Sequence, residues 1–382
     1  MVFRLVFRSR SKLKTAGVLA MRSLPRRLGG EMQQGEMQRK IPQLDAVRGL
    51  AILLVMLHNV GEKFPASPLH WIFGNGWMGV DLFFVLSGFL ITGILLDTKQ
   101  SAGYFKNFYA RRCLRIWPLY YSLLFFMFIV MPFLRPSEAH TVFEKSSPWW
   151  AFPLFLQNFL IPNSTLAAGP LGVTWSLAIE EQFYLLWPWA VRFCSSKQIR
   201  WIAITEICVA PVLRFYLSLH HVFLYTNLFC RLDGLMAGAF LALAVRSDSF
   251  LPSKFIKAIW ISLFITAPLA LAAASANASW IVFTLSAAAS ASFVYLSLFS
   301  AQKWLRRAMT NRFLVYTGTI SYGLYLLHKI PFGIVASDQM QRHPFLSLAI
   351  IFAGSYALAF LSWNLLEKPF LKLKRFFDSE AS

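Results

Sequence analysis

Aspartate, arginine and histidine stand at the head of the first long apolar stretch of the chain, as Leu44-Asp45-Ala46-Val47-Arg48-Gly49-Leu50 running on to His58. At i,i+3, Asp45 and Arg48 can pair on one helical face. His58 lies about 15 Å farther along the same helix. An imidazole can take a proton near neutrality, yet a lone histidine near a membrane interface is more often a packing residue. Other apolar stretches carry ionisable groups too: Asp81 in Gly79-Val80-Asp81-Leu82-Phe83-Phe84, Glu180 in Trp175-Ser176-Leu177-Ala178-Ile179-Glu180, then Arg231, Asp233 and His328. Counted along their helices, these groups share one depth with His58, in the outer half of the membrane. Charge facing lipid is costly, so they are expected to face a common cavity and satisfy one another. Ser176, Glu180 and Tyr184 recur at i,i+4 on a single face. For any one member the plain alternative is an ion pair that glues helices together; as a set they read as a site.

A second constellation is Arg111-Arg112-Cys113-Leu114-Arg115-Ile116-Trp117-Pro118. Topological anchoring explains Arg111 and Arg112, but Arg115 is already inside an apolar run. Guanidinium forks at i,i+3 suit phosphate oxygens, which they can hold bidentately. A phosphate-bearing donor on the inner face is the chemistry that this spacing offers.

The elements that must position these groups follow from composition. The chain is 57% hydrophobic and 14% charged, with 37 Phe and 13 Trp in 382 residues. A soluble domain carries about 25% charge. The expected fold is therefore all-α, a polytopic membrane helix bundle of about ten transmembrane helices, each needing about 20 residues. The spans read 43–62, 77–96, 113–134, 174–193, 200–219, 224–245, 257–275, 279–300, 313–333 and 345–366, with 148–162 a short aromatic piece that does not cross. Residues 1–42 carry ten Lys/Arg against two acids. The loops holding Lys99 to Arg112, Lys197 to Arg200, Arg246 to Lys257, Lys303 to Arg312 and Lys368 to Arg375 are also basic, so both termini are expected in the cytoplasm. That same orienting role accounts for the net charge of +20 without nucleic acid. Residues 1–40 read either as a transit-like leader or as a mis-assigned start, 41–370 as the membrane domain, and 371–382 as a basic cytoplasmic tail, with no soluble domain following. Cys113, Cys194, Cys208 and Cys230 form no CxxC pair, so no metal site is expected.

In order and spacing these segments resemble the acyltransferase-3 family of multipass membrane O-acyltransferases, from Leu44 to about Pro369. The motifs that carry the resemblance are Leu44-Asp45-x-x-Arg48-Gly49 with His58; Gly79 to Ile91; Arg111-Arg112 with Arg115 and Pro118; Trp175-Ser176-Leu177 with Glu180, Phe183 and Tyr184; Arg231-Leu232-Asp233; and Ser321-Tyr322 with Tyr325 and His328. The resemblance implies transfer of an acyl group, commonly acetyl, from cytoplasmic acyl-CoA to a hydroxyl of a cell-envelope glycan or lipid-linked sugar. Acyl-CoA is then a co-substrate rather than a bound cofactor, and the bacterial inner membrane is the expected location. It also implies that His58 is catalytic and that Arg112 and Arg115 contact the donor.

On this reading His58 takes the hydroxyl proton, with Glu180 or Asp81 holding the imidazole in the right tautomer. Arg231 or Tyr322 stabilises the thioester oxygen, Arg48 joins Arg112 and Arg115 at the phosphates, and Asp233, His328 and Ser176 face the acceptor. The rival reading is a transporter or flippase, where buried Asp, Glu and His relay protons; such carriers show paired repeats that this chain lacks. A structural partner in a glycan-export complex is the third.

Overall fold

A computed structural model describes residues 41–61, 73–144, 146–161, 169–222, 224–247, 252–335 and 342–377. The basic segment 1–40, the loop around Lys63 and residues 378–382 lie outside the described residues. Every regular element among the described residues is helical. In chain order the principal helices are α1 Pro42–Gly61, α2 Met78–Asp97, α3 Tyr104–Phe125, α4 Thr174–Phe193, α5 Ser196–Leu219, α6 Leu232–Val245, α7 Pro252–Ser275, α8 Ser279–Phe299, α9 Arg312–Thr319, α10 Ser321–Leu327, α11 Lys329–Ile334 and α12 Pro344–Ser362.

Seven helices among the described residues are long and apolar enough to cross a membrane, against the ten expected. The three that fall short do so for separate reasons. α4 is long enough, but Glu180, Glu181, Gln182 and Arg192 lower its hydropathy. The sixth expected span begins eight residues late: Leu228–Cys230 is a single 3-10 turn capped by Asn227, so Arg231 sits at the N-terminus of α6 rather than inside a span. The ninth is broken into α9, α10 and α11, with Ile320 and His328 at the joints. Residues 149–161 form two isolated 3-10 turns and no crossing helix, as the pattern of basic loops requires. The third span is longer than expected, since α3 starts at Tyr104 and continues through a π-helical stretch Phe126–Val130 to Leu134.

α2 is the most buried of the seven and packs along α6. The two run parallel. Arg231 pairs with Asp81 where they begin, and Arg246 grips Asp97 where they end, through two hydrogen bonds of 2.8 Å. Between these pairs the backbones touch: a Cβ on Gly88 would run into the carbonyl oxygen of Leu235, and one on Gly238 into that of Val85. Small residues permit such approach where lipid offers no hydrophobic drive to associate. α1 meets α9 in the same manner through Gly49 and Gly318. α7, with Phe264 and Ile265 bare, is the least buried of the seven and lies on the lipid side. The Ala/Ser-rich α8 it packs on contributes a hydrogen bond between Ser262 and Ser292.

Candidate functional site

The groups expected at one depth separate into distinct arrangements. His58, near the end of α1, directs Nδ1 to the carbonyl oxygen of Gly74 at 2.7 Å. A carbonyl only accepts, so Nδ1 carries the hydrogen and, in the neutral ring, Nε2 holds the lone pair. The orienting group is thus a backbone carbonyl rather than the carboxylate of Glu180 or Asp81. Gly76 helps to make this possible, because a Cβ there would strike the carbonyl of Leu54 and crowd His58.

Asp81 instead pairs with Arg231, both almost wholly buried. The guanidinium of Arg231 lies 3.9 Å from the ring centre of Phe283 and within 5.7 Å of those of Phe84, Trp175 and Tyr225. That aromatic box offsets part of the cost of desolvating the charge. Asp233 takes a different partner. It accepts from Arg214 at 3.0 Å and from Thr284 at 2.7 Å, and Arg214 also donates to the carbonyls of Trp280 and Cys230. The Arg231–Asp81 and Arg214–Asp233 pairs are the scaffold that ties α2, α5, α6 and α8 together.

His328 is fully enclosed. Its Nδ1 faces the carbonyls of Leu324 and Tyr325 at 3.1 and 2.9 Å, while Nε2 accepts from Asn59 at 3.2 Å. Asn59 also donates to Val55, so both its amide hydrogens are used. With both ring nitrogens engaged inside the protein, His328 positions the end of α1; it does not present itself to an acceptor as the sequence suggests.

Glu180 lies toward the arginines. Ser87 donates to its Oε1 at 2.6 Å and Tyr184 to its Oε2 at 3.1 Å, and Arg112 and Arg48 are its cationic neighbours. One turn earlier, Ser176 bonds Tyr325 at 2.5 Å, and Tyr325 neighbours both Glu180 and Arg231. Tyr325 therefore connects the carboxylate region to the buried scaffold.

At the end where α1 begins, three predicted cations gather. Arg48 pairs with Asp45 at 2.8 Å, and Arg115 lies 3.9 Å from Glu367 while facing the rings of Tyr322 and Trp363. Arg112 rests over Phe108 and Tyr184, with Arg48 and Arg115 as cationic neighbours. The hydroxyl of Tyr322 donates to the carbonyl of Ile116 at 2.6 Å, which fixes its ring beside Arg115. Helix α3 supplies Arg112 and Arg115 one turn apart because it starts two turns earlier than its apolar run suggests.

Several participants carry no strong signal in the sequence. Arg214 is visible there as a cation deep within an apolar helix whose other cations, Lys197 and Arg200, lie in its first two turns, and Glu367 as an acid closing one. Asn59 and Ser87 look like ordinary polar residues. A groove of about 510 Å³ lined by Trp117, Pro118, Tyr121 and Phe370 lies along α3 and includes none of the expected site residues. The four cysteines are unpaired. Among the described residues no cluster of His, Cys, Asp or Glu could hold a metal ion.

A family model described as an acyltransferase domain matches residues 41–364. A Staphylococcus aureus (strain COL) protein provisionally named an O-acetyltransferase is 28% identical over 376 residues, covering 87% of this chain and 58% of its own length. The peptidoglycan O-acetyltransferase OatA of Listeria monocytogenes is 36% identical over 160 residues, covering 40% of this chain and 24% of its own. The chain thus spans little more than half the length of the first of these relatives. No solved structure matches it.

Proposed function

The chain belongs to the acyltransferase-3 family, and from this we propose that it is an integral membrane O-acyltransferase. It moves an acyl group, acetyl first among candidates, from acyl-CoA to a hydroxyl of a cell-envelope glycan such as peptidoglycan or of a lipid-linked sugar. The observation that carries the reading is the hydrogen bond from His58 Nδ1 to Gly74, which puts the hydrogen of the neutral ring on Nδ1 and its lone pair on Nε2, the tautomer a general base requires.

In this mechanism the acceptor hydroxyl gives its proton to His58 Nε2 as its oxygen attacks the thioester carbonyl carbon. The carbonyl oxygen gathers negative charge and then collapses, expelling the thiolate of CoA. The imidazolium returns its proton to that thiolate, so the histidine ends as it began. Arg48, Arg112 and Arg115 hold the CoA phosphates at the start of α1, and the pantetheine arm extends the remaining distance of about 15 Å toward His58. Glu180, fixed by Ser87 and Tyr184, lies near Arg112 and Arg48 and helps to shape that passage. Both termini facing the cytoplasm and location in a bacterial inner membrane fit the distribution of basic loops.

The experiment is label transfer. Membranes containing the full chain are incubated with acetyl-CoA labelled in the acetyl group, and the label is followed into isolated envelope glycan as alkali-labile ester. Ester formation that depends on the chain supports the proposal. Ester content unchanged between membranes with and without the chain, with donor and glycan both present, overturns it.

A further inference from the structure

The C-terminal part of the described chain folds back on the bundle. After α12 the backbone passes through the π-helical stretch Trp363–Glu367, then a short helix Lys368–Lys372 and a 3-10 turn Leu373–Phe377, all packed against α3. Phe377 shares a small recess with Arg111, Tyr104 and Phe108. This return path sets the half-buried Lys374 among Arg112, Arg115, Arg111 and Arg48, its principal electrostatic neighbours. Five cations from three separate parts of the chain are therefore neighbours at the end of the bundle where α1 begins.

Their local partners are uneven. Arg48 has Asp45 and Arg115 has Glu367 within ion-pair distance, but among the described residues Arg112 and Lys374 have no carboxylate that close. The Nε of Arg112 is buried without a hydrogen-bond partner. Like charges held together in a partly dry site repel unless an anion joins them. A ligand with several phosphates supplies that anion, with the arginines as forks and a lysine as a mobile point charge.

We propose that Lys374 is a further phosphate-binding residue of the donor site, so that the C-terminal return segment closes over the donor's phosphates. The assignment rests on acyl-CoA being the donor. The segment is held by the Arg115–Glu367 pair and by Phe377 in its recess, and a shared anion would offset the repulsion between Lys374 and the four arginines beside it.

The test is calorimetric titration of coenzyme A into the full chain in neutral detergent, comparing wild type, Lys374→Gln, Lys374→Arg and Lys372→Gln. Loss of one charged phosphate contact should weaken binding about tenfold in Lys374→Gln and flatten its salt dependence, with Lys374→Arg close to wild type and Lys372→Gln unchanged. A thermal melt of each variant without ligand establishes that the fold is kept. Wild-type and Lys374→Gln affinities that agree within twofold would overturn the role of Lys374 while leaving the donor reading standing. A wild-type chain that binds no coenzyme A would overturn both. Added phosphatidylglycerol displacing coenzyme A from wild type but not from Lys374→Gln would give the lysine to a lipid headgroup and overturn the donor assignment.

Discussion

Asp97 and Arg246, 149 residues apart in sequence, meet at the shared end of two parallel helices through a pair of 2.8 Å hydrogen bonds. Parallel alignment of α2 and α6 requires an odd number of crossings between them, which α3, α4 and α5 supply if 149–161 does not cross. The pair is thus a topological statement as well as a contact. It also makes a clean cycle: Arg246→Ala and Asp97→Ala should each lower stability by about 1–3 kcal/mol, with the double variant costing less than their sum. Unfolding in mixed micelles checks this, and additive losses would show that the two residues act independently.

His58→Ala should lose acyl transfer by about 10²–10⁴-fold, the usual worth of a general base, while the protein accumulates and melts as wild type does. Transfer at near the wild-type rate would remove His58 from the chemistry without disturbing the family assignment.

Replacing both Arg112 and Arg115 by Gln should raise the apparent Michaelis constant for the donor far more than it alters melting. Lys at both positions restores charge but not the planar fork, so rescue should be partial. An unchanged donor constant in the double Gln variant would return both residues to anchoring.

His328→Ala should act mainly on stability, because it strands the amide of Asn59 and opens a cavity at a fully buried site. A loss of about 2–4 kcal/mol is expected with the donor Michaelis constant little changed. A variant that melts normally but no longer saturates with acceptor would restore His328 to substrate binding.

Gly88→Val should prevent normal accumulation, since its side chain would have to occupy the carbonyl of Leu235, whereas Gly333→Ala should be neutral, because a methyl group there meets nothing within 4 Å. Membrane levels measured by immunoblot decide between close backbone packing and a tolerant interface.

Much of this is legible in the sequence because lipid makes its demands in composition. Apolar runs locate α1, α2, α5, α7, α8 and α12 to within a few residues, except where basic or aromatic residues extend a helix, as Tyr104 to Arg112 do in α3. The partnering is not legible. Counting residues along helices gives depth only coarsely and azimuth not at all, so the common level expected for Asp81 and Glu180 fails: Glu180 meets Ser87, six residues and about 9 Å along α2 from Asp81. Asp81 finds Arg231, and Glu180 turns to Ser87 and Tyr184. The break at Ile320 is hidden because that residue is ordinary within an apolar pattern; the break at His328 does leave a trace, Pro331, whose ring clashes with the carbonyl of Leu327 and which donates no helical hydrogen bond. The role of Gly74 cannot be read at all, since backbone carbonyls leave no trace in residue type.

Asn59 and His328 touch across 269 residues of sequence. During synthesis the ribosome delivers the proposed base among the first helices, yet His328, which fixes the end of its helix, emerges only 269 residues after Asn59. A nascent or prematurely terminated protein would hold the histidine and the arginines α3 carries, but not the assembled passage between them. Chains interrupted before α9 are therefore expected to be inert toward the thioester.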